Sequence, residues 1–139
     1  MMTQINAYLT FDTNCAEAMT FYKNCLDAEL VLNKVEGSAM EEHCPAAMKG
    51  MVMHASLTKG NITLMASDRM SPGELIRGNG MSLSLNCSSE EELRSYFNAL
   101  SAGGKVIEPV KEQFWGALFG MFIDKFGVMW LLNYELPAK

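Results

Sequence analysis

The sequence predicts an α+β fold built from paired βαβββ modules that together form a curved-sheet cup. Three observations carry that expectation. Two amphipathic helices each follow directly on an alternating strand, and three strand-like segments follow each helix. The aromatic pair of the first helix and the glycine of its last hairpin recur in the second half, Phe21-Tyr22 against Tyr96-Phe97 and Gly60 against Gly127.

Residues 5–11 alternate Ile5, Leu9 and Phe11 with Asn6, Tyr8 and Thr10, the period of a half-buried strand. From Asn14 the chain reads Asn-Cys-Ala-Glu, an N-cap with Glu17 three residues on. Ala18, Phe21, Tyr22 and Cys25 then keep the i, i+3, i+4, i+7 spacing of one apolar helix face over about three turns. Segments 29–36, 52–58 and 61–67 read as strands, the last two joined as a hairpin at Lys59-Gly60. The second half starts with 81–86, where Met81, Leu83 and Leu85 alternate with Ser82, Ser84 and Asn86. A helix opens at Ser89 with Glu92 at its third position and three acidic residues in its first turn, where the dipole favours them. Leu93, Tyr96, Phe97 and Leu100 form its apolar face, and Gly103-Gly104 ends it. Strands at 106–111, 117–123 and 128–134 complete the copy, with Lys125-Phe126-Gly127 in the final turn and Trp130 expected in the core.

The two copies span about 1–70 and 79–136 of a single domain over residues 1–139, and the length difference between them falls in the polar loop at about 37–50. In each copy the helix covers one sheet face. The other face, lined by Tyr8, Thr10, Ser82 and Ser84, is left to form a concavity, the expected functional site.

Sixteen acidic against eleven basic residues give a net charge of −5, which removes the basic field that nucleic acid or anionic lipid would need. No apolar stretch approaches the roughly 18–20 residues that cross a bilayer, and the first residues lack the pattern of a secretory signal, so the expected location is the cytoplasm. Cys15, Cys25, Cys44 and Cys87 are isolated from one another and read as reduced thiols. The twelve methionines fit either an adaptable core or an adaptable pocket lining.

The order of these elements, with Tyr-Leu-Thr-Phe-Asp-Thr-Asn-Cys-Ala-Glu-Ala-Met-Thr-Phe-Tyr at 8–22, His54-Ala55, Met65-Ala66-Ser67-Asp68, Phe114-Trp115-Gly116 and Asp124-Lys125-Phe126-Gly127-Val128-Met129-Trp130, resembles the PhnB-like branch of the vicinal oxygen chelate superfamily, the group of glyoxalases, extradiol dioxygenases and bleomycin-resistance proteins. The resemblance implies the glyoxalase/bleomycin-resistance-like fold, a small-molecule ligand and a homodimer. It also imports a demethylubiquinone methyltransferase name. A nucleotide-type methyl donor sits on a glycine-rich loop between strand and helix, whereas Gly78-Asn79-Gly80 precedes a strand.

Metal-dependent members of the superfamily place His or Glu ligands on the first and last strand of each half. The matching positions here are Asn6 or Ala7, Leu64 or Met65, Gly80, Met81 or Ser82, and Leu131, so neither a catalytic metal nor another cofactor is expected. A non-standard metal site elsewhere stays open, as does a weak pairing of His43 with Cys44. His54 is the one neutral-pH acid/base group that the strand pattern puts in the concavity, with Val52 and Ser56 beside it and Met53, Ala55 and Leu57 toward the helix. Its alternative is a structural histidine bonded to a carbonyl or to Asp68. Asp68 either caps its turn or orients His54 and meets a ligand. His54 and Asp68 are thus the candidate catalytic pair, with Tyr8 as an alternative assistant. Tyr8, Thr10, His54, Ser82, Ser84, Phe114 and Trp115 are the candidate ligand contacts, the two rings being either stacking surfaces or core. Two functions stand side by side: a metal-free binder of a cationic or neutral small molecule, and a lyase, isomerase or hydrolase using His54 as base.

Overall fold

A computed structural model describes residues 2–38, 42, 50–69 and 73–138. The chain divides into two compact units, Met1–Ile76 and Arg77–Lys139. The first holds β1 (Ala7–Phe11), α1 (Cys15–Leu26), β2 (Glu29–Lys34), β3 (Val52–Lys59) and β4 (Ile62–Asp68). The second holds β5 (Leu83–Asn86), α2 (Glu90–Ser101), β6 (Lys105–Glu112), β7 (Ala117–Ile123) and β8 (Met129–Glu135). Each unit is one open four-stranded mixed sheet with one helix, in the orders β1-β4-β3-β2 and β5-β8-β7-β6. The predicted βαβββ module is therefore present twice, with its first strand parallel to its last in both copies.

Parallel pairing also sets where the first strands begin. Ala7 meets Leu64 and Leu83 meets Trp130, and the residues ahead of them have no ladder partner. The first strand is therefore shorter than the expected 5–11, with Ile5 exposed. The fifth is shorter than the expected 81–86, leaving Met81 and Ser82 exposed in the loop before it.

In the first unit α1 covers the face made by Phe11, Ala55, Leu57, Leu64 and Ala66, and Ala18, Met19, Tyr22 and Leu26 are buried against it. Of the face predicted from the spacing, Ala18 and Tyr22 are buried while Phe21 and Cys25 are half-buried, so the buried stripe is turned toward Met19 and Leu26. The expected capping box is not made: Asn14 makes no side-chain cap. The N–H of Cys15 donates instead to Oδ1 of Asp68, at 2.9 Å, from the far end of β4. A carboxylate at a helix N-terminus meets both a free donor and the positive end of the dipole, so it displaces the neutral local cap. Just before it, Thr13 has φ +74°, a left-handed conformation unfavourable for a β-branched residue.

In the second unit Leu93, Tyr96, Phe97 and Leu100 of α2 are buried with Leu118, Phe122, Trp130 and Leu132 of the sheet, as the spacing predicts. Here the local cap does form. Ser89 Oγ accepts from the N–H of Glu92 at 3.1 Å, and Glu92 accepts from the N–H of Ser88 at 3.0 Å. Both hairpin turns of this unit share one construction. Gly116 donates to the carbonyl of Gln113 and Gly127 to that of Asp124, each glycine taking positive φ, 85° and 88°. No helix among the described residues is long and apolar enough to cross a membrane.

Candidate functional site

The sheet face of the first unit that turns away from α1 is built by register. Tyr8 pairs with Met65 and Met65 with Ser56. Thr10 pairs with Ser67, and His54 with Asn33. Directly paired residues share a face, so these side chains gather on one surface together with Thr63, Thr58 and Val31. Within it, the Tyr8 hydroxyl lies 3.1 Å from His54 Nδ1, with the two rings 5.7 Å apart between centroids. Tyr8 is 49% exposed and His54 half-buried, so the pair is held yet reachable from solvent.

Val52 does not join this face. The β2–β3 register slips between Asn33 and Lys34, so that Lys34 meets Val52 and Met53 is the extra residue. A bulge of this kind inverts side-chain parity beyond it, and Val52 is fully buried on the helix side. His54 and Ser56, on the near side of the bulge, keep the predicted orientation.

Asp68 lies elsewhere. It is 4% exposed, on the strand parity opposite to Met65 and Ser67, and both oxygens are engaged: Oδ1 by the N–H of Cys15 and Oδ2 by that of Val52, each at 2.9 Å. It joins the end of β4 to the starts of α1 and β3. The turn-capping role expected for it is thus replaced by a long-range one, and the partner of His54 is Tyr8. Burial, reinforced by the Asp68 carboxylate, pushes the Cys15 thiol up to about 12; burial and then Glu92 push Cys87 up to about 11. Neither is a nucleophile near neutral pH. Cys15, Cys25 and Cys87 are reduced cysteines in no disulfide, and His43 and Cys44 lie outside the described residues.

The corresponding face of the second unit is more apolar. Ser84 pairs with Leu131 and Asn86 with Asn133. Leu131 pairs in turn with Met121, and Asn133 with Phe119. Ser82 precedes the strand and is outside this register. At the β6–β7 turn, Phe114 is 97% and Trp115 53% exposed, so neither is a core residue. Trp115 stands edge-on to Phe114 at 5.1 Å and to Phe119 at 6.0 Å, extending the apolar face out to the turn. Trp130 is buried, as expected, and its indole N–H donates to Asp124 at 2.8 Å. Asp124 also accepts from the N–H groups of Phe126 and Val128, an internal anchor beyond the turn role predicted for it.

Sequence reasoning missed Met65, Ser67 and Phe119 as members of the open faces. The alternation Thr63-Met65-Ser67 against Leu64-Ala66 in β4 carried the signal for Met65 and Ser67. Met65 and Met121 are half-buried on these faces while Met19 is in the core, so methionine serves both as packing and as adaptable lining.

The superfamily's metal positions do not fit a divalent ion. Met65 and Leu131 carry a thioether and an alkyl chain on the open faces, Leu64 is buried on the helix side, Ala7 has no donor, and the neutral oxygens of Asn6 and Ser82 are exposed ahead of β1 and β5, outside either ladder. No group of three or more His, Cys, Asp or Glu side chains able to hold a metal occurs among the described residues. A nucleotide-type methyl donor fits no better. Gly78 and Gly80 lie before β5 and not between strand and helix, and at the two strand–helix junctions an N–H is already taken by Asp68 or Ser89.

The family model described as 3-demethylubiquinone-9 3-methyltransferase matches residues 3–133. Protein YjdN of Escherichia coli is 33% identical over 93% of both chains. Among solved structures, protein PA1353 from Pseudomonas aeruginosa is 42% identical with a TM-score of 0.85, covering 98% of this chain and 100% of its own. A PhnB protein from Bacillus cereus is 28% identical with a TM-score of 0.77, over 95% and 99%. Glyoxalase/bleomycin resistance/dioxygenase structures from Burkholderia phytofirmans and Frankia, at 13% and 15% identity and TM-scores of 0.62 and 0.68, share the fold.

Proposed function

Because this chain belongs to the 3-demethylubiquinone-9 3-methyltransferase family, as a PhnB-like member of the vicinal oxygen chelate superfamily, we propose that it is a small-molecule-binding protein whose ligand sits on the open sheet face around Tyr8 and His54. The observation that carries this reading is the Tyr8–His54 hydrogen bond, on a face lined with the hydroxyls of Thr10, Ser56 and Ser67 and the thioether of Met65. Apolar lining with a few convergent polar groups is the composition of ligand sites in general. Ser84, Phe114 and Trp115 offer a second, more apolar set of contacts, and Ser82 flanks it.

The ligand is neutral or cationic, and its binding needs no metal. Among the carried-over metal positions the oxygen donors are the neutral side chains of Asn6 and Ser82, exposed ahead of their strands, and the acidic chain offers no field to hold a phosphorylated ligand. Methyl transfer gains no support from either strand–helix junction. The protein acts as a homodimer in the cytoplasm; a sedimentation mass near the 15.4 kDa of one chain contradicts the dimer. Ligand-observed NMR against a panel of neutral and cationic metabolites and antibiotics tests the binding. At least one ligand of millimolar or tighter affinity, weakened by His54→Ala, is the expected result, and a panel without binders contradicts the reading.

A second reading makes His54 the acid/base group of an isomerase, lyase or hydrolase. It is favoured by the same hydrogen bond, which fixes one imidazole nitrogen and leaves the other for chemistry. Asp68, with both oxygens bonded to backbone, would act only by holding the frame.

A further inference from the structure

We infer that the second unit carries a binding site of its own on its helix side, a groove between α2 and β6 that takes a small monocarboxylate with an apolar body. The site does not depend on the open face around Tyr8 and His54. The residues that line it, Arg94, Phe97, Asn98, Val106, Pro109 and Val110, all belong to α2 and β6.

The seating of α2 on its sheet leaves this groove open. Gly120 in β7 lies beneath the helix, and a Cβ there would stand 2.5 Å from the ring of Phe97 and 2.9 Å from a methyl of Val110. Only glycine lets Phe97 settle so close to the strand. The helix thus packs chiefly over β7 and β8, and the edge strand β6 extends beyond it. Val106 pairs with the buried Phe122 and so shares the helix side, yet it is 45% exposed. With the half-buried Val110 and the exposed Pro109 it forms an apolar wall opposite the buried Phe97. The space between them is about 330 Å³, within the range of small-ligand sites. At the ~30 Å³ that one water fills in the liquid, that is room for about ten non-hydrogen atoms.

The rim decides the class of ligand. Arg94 and Asn98 stand one turn apart on α2, both exposed. Glu90 holds Arg94 through Nε at 2.9 Å. The Nη groups of Arg94 and the side-chain amide of Asn98 make no hydrogen bond among the described residues. A guanidinium carries its donors in a planar fork, and the Nη edge that Glu90 leaves over matches the two oxygens of a carboxylate. The rim therefore meets an acceptor of single negative charge, while the walls take a carbon body. With one cation at the rim and a net charge of −5 on the chain, a multiply charged anion is disfavoured. A peptide strand is disfavoured by the edge itself. The β6 register slips between Val106 and Glu108 and again between Glu108 and Lys111, and Pro109 has no N–H to give to an added strand.

Octanoate titrated into the isotope-labelled full chain, followed by amide correlation NMR, tests this. The expected result is a saturable shift with a Kd of about 1 mM or tighter, centred on the amides of Arg94, Asn98, Val106 and Val110 and absent at Tyr8 and His54. Octanamide, of the same length but uncharged, binds about tenfold more weakly. Arg94→Gln weakens octanoate about tenfold and leaves octanamide unchanged, a split that lost packing would not give. The Arg94–Glu90 pair is half-exposed, so this variant keeps its fold. Val106→Trp fills the groove from its exposed edge and abolishes binding of both probes. No saturable shift at about 10 mM octanoate, equal octanoate affinity in Arg94→Gln, or shifts centred on Tyr8 and His54 overturns the site. A sedimentation mass that falls from dimer to monomer in Arg94→Gln or Val106→Trp would give the groove to a second copy of the chain and overturn it as well.

Discussion

Asp68→Asn separates the role assigned to this carboxylate from a role in chemistry. Asp68 is almost wholly buried and accepts one hydrogen bond on each oxygen, from the N–H of Cys15 and from that of Val52. A hydrogen bond to a charged acceptor contributes about 1.5–3 kcal/mol. Asparagine keeps one acceptor, now neutral, and turns an NH2 toward a backbone N–H that has no other acceptor there. It also removes the negative charge from the α1 N-terminus, a loss of about 0.5–1 kcal/mol. Together these predict destabilisation of about 3 kcal/mol, or a Tm lower by about 10 °C for a chain of this length. Urea unfolding followed by circular dichroism measures it, with the midpoint falling and the slope unchanged. At a temperature where the variant is folded, its affinity for any ligand found matches the wild type. A stability change below about 0.5 kcal/mol would refute the bonding scheme, and lost binding at unchanged stability would place Asp68 in the ligand site.

Thr13 sits at φ +74°, so Thr13→Gly relieves left-handed strain and should raise stability by about 0.5–1 kcal/mol despite the greater freedom of glycine in the unfolded chain; a loss in the same urea assay would contradict this. Cys15 and Cys87 hold their protons more tightly in the folded chain than the ordinary thiol value of 9.0. Their stabilising contribution is therefore complete below pH 9 and is lost as pH rises toward about 12 and 11, respectively. At pH 8.5 iodoacetamide should modify both only after unfolding, as mass spectrometry of the alkylated chain will report. Phe114 is so exposed that Phe114→Ser should leave stability within about 0.5 kcal/mol, and a weaker ligand affinity in that variant, measured by titration, marks the turn as part of the binding surface.

The sequence carried the repeated module, the apolar face of α2, half of that of α1 and the orientation of His54, because each rests on a local period of 3.6 or 2 that burial enforces. Its errors fall where distant residues intervene. Asn14 reads as a helix cap, but the carboxylate of Asp68, 53 positions along from Cys15, occupies the site. The alternation at 5–11 and 81–86 continues past the ladder, whose ends are fixed by parallel partners that no local pattern reveals. Val52 follows the parity of His54 in sequence and loses it at a bulge set by β2. The Tyr8–His54 pair was half legible: both residues fall on the predicted face, but their contact depends on the register of β1 and β3 against β4.

Native mass spectrometry of freshly purified protein tests the central claim, a metal-free small-molecule binder, most directly, because one spectrum reports bound metal, bound organic molecules and subunit number. The account predicts a dimer of the 15.4 kDa chain without stoichiometric metal, with an organic adduct that appears on adding a ligand from the panel and weakens in His54→Ala. One divalent ion per chain, retained through desalting, would contradict it and show that donors other than the carried-over positions build a metal centre in this fold.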